Sequence, residues 1–129
     1  MKKMEYIRTD RAPLPLSCYS QAVKASGFLF VSGQVGLDPK TKKLVQGGVA
    51  AQTKQVLENI KSIVEAANSS LKNVVKITVF LKNIEDFKEM NSVYCTYFDK
   101  DPPARTTVQA QLPMPELLIE IEATVSLTK

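Results

Sequence analysis

The residues best suited to chemistry in this chain are Arg105 and the pair Glu120 and Glu122. Arg105 follows Pro102-Pro103-Ala104, a stiff segment that must stop a helix and lead into a strand, so its side chain is firmly aimed. A guanidinium fork takes a carboxylate through two parallel hydrogen bonds, which suits capture of a small organic acid. The competing reading is a structural ion pair with one of the glutamates, and residue type alone weighs the two equally. For Glu120 and Glu122, a role in directing water competes with the plainer one of a solvated strand face.

The chemistry has to be done without histidine, since none of the 129 residues is one. That removes Ser-His-Asp and Cys-His nucleophilic sites, histidine-bound metals and the commonest general base near neutral pH. No G-x-S-x-G, Walker, G-x-G-x-x-G or H-E-x-x-H motif occurs. Gly47-Gly48 reads as a flexible helix entry before it reads as an anion cradle. Cys18 and Cys95 stand far apart, without the spacing of a zinc or redox pair, and are expected to be buried thiols. Neither a metal nor a cofactor is indicated.

The elements that must position these groups follow from periodicity. Tyr19–Ala25 and Phe28–Ser32 read as strands joined at Ser26-Gly27, and Asp38-Pro39-Lys40-Thr41 as a turn. Between Val49 and Ala67, the residues Val56, Ile60, Ile63 and Ala67 recur at helical spacing. Gln52, Lys54, Glu58, Lys61 and Glu65 fall mostly on the other side, which predicts an amphipathic helix. Asn68-Ser69-Ser70 should end it, because Asn tolerates the left-handed conformation. Val75, Ile77, Val79 and Leu81 share one face of a predicted strand. Asn83 then caps a second helix whose stripe of Phe87, Met90, Tyr94 and Tyr97 reads as core. Two last strands, Thr106–Gln111 and Leu117–Leu127, complete an α+β sandwich with both helices on one sheet face. The other face must meet solvent or another copy of the chain, so an oligomer is expected.

Length and composition fit one domain: 44% hydrophobic and 23% charged residues are ordinary for globular chains, and no apolar run nears the length of a membrane span. Without an apolar segment behind the first basic residues, the expected compartment is the cytoplasm. A net charge of +4 invites a nucleic-acid partner, but only Arg8, Arg11 and Arg105 are arginine and the 14 lysines are scattered. A solvated lysine surface is the simpler account.

Several stretches resemble the Rid family, formerly filed as endoribonuclease L-PSP or translation inhibitors. They are Tyr19-Ser20-Gln21-Ala22, Val31-Ser32-Gly33-Gln34, Gly47-Gly48-Val49-Ala50-Ala51-Gln52-Thr53, Asn73-Val74-Val75-Lys76, Met90-Asn91-Ser92-Val93-Tyr94, Pro103-Ala104-Arg105-Thr106-Thr107-Val108 and Ile119-Glu120-Ile121-Glu122-Ala123. The resemblance runs from about residue 12 to 126. It implies a chorismate-mutase-like fold with about six strands in a mixed sheet, and a homotrimer with sites in the clefts between subunits. The implied activity is hydrolytic deamination of reactive 2-imino acids, 2-iminobutanoate and 2-iminopropanoate, released by pyridoxal-phosphate dehydratases. The products are 2-keto acids and ammonia, and neither metal nor cofactor takes part. By motif position, Arg105 would hold the substrate carboxylate and Glu120 would position the attacking water. Tyr19, Ser32, Gly33, Asn91 and Thr107 would line the pocket, Gly33 and Thr107 through their backbone. The chain departs from the pattern at Ser17-Cys18, where Gly-Pro is usual, at Lys42, where a turn glycine is usual, and at Leu112-Pro113, which comes one residue early. An RNA-binding or endoribonuclease activity, and a non-catalytic small-acid sensor or chaperone, remain the alternatives.

Overall fold

A computed structural model describes residues 3–128. The chain forms β1 (Glu5–Ile7), β2 (Ala22–Ala25), β3 (Phe28–Gln34), α1 (Gly48–Ala66), β4 (Val74–Leu81), α2 (Phe87–Tyr97), β5 (Ala104–Gln109) and β6 (Ile119–Ser126). The strands make one mixed sheet in the order β1-β2-β3-β6-β4-β5, in which only β4 and β5 run parallel. The expected sandwich is therefore present. The short β1 extends the edge beyond the strands that periodicity revealed.

Local chemistry accounts for most of the boundaries. Ser26 and Gly27 both take positive φ (54° and 83°), the two-residue turn whose twist matches that of its strands. At the end of α1, Asn68 is left-handed (φ 62°), its N–H bonds Glu65 O, and the Ser69 N–H reaches back to Val64 O at 3.1 Å. These two bonds satisfy carbonyls that the helix would otherwise leave open. Asn83 begins a single 3-10 turn, Ile84–Asp86, rather than α2 itself, and its side chain makes no capping bond. Tyr19 turns tightly, its N–H bonding Ser17 O at 3.0 Å, so β2 starts three residues later than the β-rich run implied.

Both helices pack on one face, over Ile77, Val79, Leu81, Ile119, Ile121, Ala123 and Val125, all buried. Tyr97 Oη donates to Glu58 Oε2 at 2.6 Å and ties α2 to α1. Three expectations fail for identifiable reasons. Val75 is 42% exposed, because a bulge between Val74 and Lys76 leaves it the extra residue and turns Val74 inward instead. Gln52 is buried, where it donates to Glu116 O and accepts from the Leu118 N–H, fastening the 110–118 loop to α1. Both Cys18 and Cys95 are exposed, on a loop and on the outer side of α2, and neither enters the core.

Candidate active site

The strand register separates the candidate residues into two groups. On β5, Arg105 pairs with Ile77 and Thr107 with Val79, so both point to the side the helices cover. On β6, Glu120 pairs with Phe80 and alternates with the buried Ile119 and Ile121, so it points to the open side. The two groups thus lie across the sheet from each other. Within the described chain the ion-pair reading of Arg105 fails: the only salt bridge among the described residues joins Lys24 to Glu5.

Around Arg105 the setting is aromatic and polar. Its NH1 donates to Asn91 Oδ1 at 2.7 Å, and the guanidinium carbon lies 4.6 Å from the centre of the Tyr94 ring and 5.5 Å from that of Phe87. These distances are those of a cation held against aromatic faces. Phe87, Asn91 and Tyr94 stand at i, i+4 and i+7 on α2, so one helix face presents the whole cradle. Burial raises the Tyr94 hydroxyl above its ordinary range, and the Arg105 charge offsets part of the rise. The Thr107 hydroxyl is buried without a hydrogen-bond partner.

Glu120 sits by a cavity of about 330 Å³ that Tyr19, Ser32 and Gly33 also line. A register shift between Val31 and Gln34 sets a bulge into β3 there, with Ser32 and Gly33 opposite one residue of β6. Glycine at the bulge leaves the space that the Glu120 carboxylate fills: a Cβ on Gly33 would collide with Glu120 Oε2 and displace it. Ser32 Oγ donates to Ser20 O at 2.6 Å, and the buried Gln21 gathers Thr9, Ala12 and Pro13 through four hydrogen bonds. Those bonds hold the loop that carries Tyr19. Apart from Gln34, the rest of the wall is apolar, with Leu14, Leu16, Val35, Leu37, Met114 and Leu117 among its residues. Burial lifts the Glu120 carboxyl above its usual range, and the Glu122 charge adds to the effect.

The family whose sequence profile fits this chain is described as endoribonuclease L-PSP, and the fit spans residues 9–127. The chain belongs to this family, also called Rid or RutC. A RutC family protein of Pyrococcus horikoshii is 52% identical over 92% of this chain and 94% of its own. The 2-iminobutanoate/2-iminopropanoate deaminase of Rattus norvegicus is 45% identical over 91% of this chain and 85% of its own. The crystal structure of RidA from the Antarctic bacterium Psychrobacter superposes with a TM-score of 0.89 at 43% identity, covering 95% of this chain and 98% of that one.

In this Rid protein the structure brings Asn91 and Thr107 to Arg105, and Tyr19, Ser32 and Gly33 to Glu120; it does not bring Arg105 to Glu120 in one chain. Sequence reasoning assigned Phe87 and Tyr94 to the core and missed their part in holding the guanidinium. A signal was present, since Asn91 interrupts an apolar stripe at the position between them. Gln21 gave no such signal, because its three partners lie on a loop that only the fold brings close.

Proposed function

We propose that this Rid protein is a hydrolytic deaminase that converts small reactive 2-imino acids to 2-keto acids and ammonia, at sites shared between subunits of a homotrimer. One observation carries the reading: Arg105 is fixed by Asn91 and two aromatic rings yet enters no ion pair among the described residues, so its fork is free for a carboxylate. The name of the rat relative supports 2-iminobutanoate and 2-iminopropanoate as substrates.

An imine carbon next to a carboxylate is already electrophilic, so the protein has to orient and polarise rather than make a strong nucleophile. Arg105 clamps the carboxylate and turns random encounter into a fixed geometry. Glu120, whose carboxyl burial makes more basic than usual, accepts a proton from the water whose oxygen bonds to C2. That proton passes to nitrogen as the C=N bond opens to a carbinolamine; the hydroxyl then gives up its own proton to the nitrogen, the C–N bond breaks, and ammonia leaves as the carbonyl forms. A small acid at Arg105 cannot reach Glu120 of the same chain through the sheet. A second copy, presenting its Arg105 side to the Glu120 cavity of the first, completes the set.

The test couples this protein to a threonine or serine dehydratase and follows release of 2-keto acid and ammonia. Faster release than from the dehydratase alone is expected. An unchanged rate across a range of protein concentrations would sink the proposal.

A further inference from the structure

Among the described residues only two buried side-chain polar atoms lack a hydrogen-bond partner, Tyr94 Oη and Thr107 Oγ1. The buried side chains of Gln21, Gln34, Gln52, Thr53 and Asn59 all find partners, so orphaned hydroxyls are not a general feature of this interior. Both orphans belong to the Arg105 group. Thr107 lies two residues along β5 on the same face, and Tyr94 carries the guanidinium over its ring. An unpaired buried hydroxyl is costly, and phenylalanine would supply the same ring without the cost. With Tyr94 only 4% exposed, solvent does not satisfy the oxygen. The Arg105 guanidinium is close enough to act on that hydroxyl by its charge and as a loose donor to its oxygen, but a guanidinium has no acceptor, so whatever carboxylate the fork receives arrives beside an O–H whose proton is untaken.

We propose that Tyr94 is a further substrate-binding residue, whose ring fixes the plane of the Arg105 guanidinium and whose hydroxyl donates a hydrogen bond to the carboxylate that Arg105 receives. This role rests on the carboxylate clamp proposed above. It also gives the site a preference for ligands that place an acceptor oxygen beside the guanidinium, because a ligand without one leaves the O–H orphaned.

Tyr94→Phe keeps the ring and removes the O–H. Expected are an unchanged or higher Tm, an unchanged assembly, and affinity for 2-oxobutanoate weaker by about tenfold or more, since a hydrogen bond to a charged group is worth at least about that factor. KM for the imino acid should rise more than kcat falls, because the bond is made to a group that does not react. Tyr94→Leu, which removes the ring as well, should weaken binding further, whereas Tyr94→Phe should recover the part that stacking supplies. Wild-type affinity and KM in Tyr94→Phe would overturn the proposal, and so would a loss of assembly or Tm with affinity unchanged, which would give the hydroxyl to a subunit contact. Arg105→Lys separates the two ideas. Full turnover in that variant removes the clamp and this role together, whereas lost turnover there with an unaffected Tyr94→Phe removes only the role of Tyr94.

Discussion

At the scale of single residues, Arg105 and Glu120 answer to different tests because their surroundings differ. Arg105→Lys keeps the charge but loses the two-pronged geometry and the guanidinium's place over the Tyr94 and Phe87 rings, so kcat/KM should fall at least about tenfold with little change in Tm. Activity assays and thermal unfolding on the same preparation check this. Glu120→Gln should slow hydrolysis while 2-keto-acid binding persists, because the amide cannot accept the proton of water. Its stability has a definite sign. The folded-state pKa of Glu120 is raised, first by burial and then by Glu122, so its contribution is favourable below the ordinary carboxyl pKa and is lost as pH rises through the folded value. Glu120→Gln should therefore melt above the wild type at neutral pH, with the gap closing below about pH 4. A Gln variant that melts lower at pH 7 would show that the carboxylate holds the fold together.

At the scale of elements, the bulge in β3 and the turn after it carry the consequences. Gly33→Ala should leave Tm nearly unchanged, because the colliding atom is the far end of a flexible side chain, yet turnover should drop as the Glu120 carboxylate is pushed off its place. A fully active, fully stable Gly33→Ala enzyme would mean that the carboxylate is not held where the reaction needs it. The turn at Asp38 forces Lys42 to φ 64°, and this is the position where the family pattern has glycine. Lys42→Gly should add about 0.5–1 kcal/mol, or about 2–4 °C in Tm, by relieving left-handed strain less the extra chain entropy. Element type was legible in the sequence wherever one face is buried, as for α1 and β6, since period alone sets which residues turn inward. The two bulges were not legible. Each shifts the period by one residue, and only pairing with β6 reveals the shift, so Val75 misled and the packing of Gly33 on Glu120 stayed hidden.

At the scale of the whole molecule, motif position proposes the candidate residues but not how one chain groups them, because the face to which a strand residue points depends on register. That register sets Arg105 and Glu120 on opposite sides of one sheet. The open side also exposes Tyr6, Phe28, Phe30 and Val108, apolar surface that a second copy would cover. If each site takes Arg105 from one subunit and Glu120 from the next, two inactive variants must complement each other. Arg105→Ala and Glu120→Ala proteins, each without turnover alone, are unfolded together at equal concentration and refolded as mixed oligomers. A shared site works only where an intact Arg105 meets an intact Glu120, and random assembly in a closed ring gives that for about one site in four. Turnover should return to about a quarter of the wild-type level, in proportion to the mixed species separated by charge. A site built within one chain gives no recovery at any mixing ratio, because every chain in the mixture lacks one of the two groups. Absence of recovery from verified mixed oligomers would therefore rule out the shared cleft.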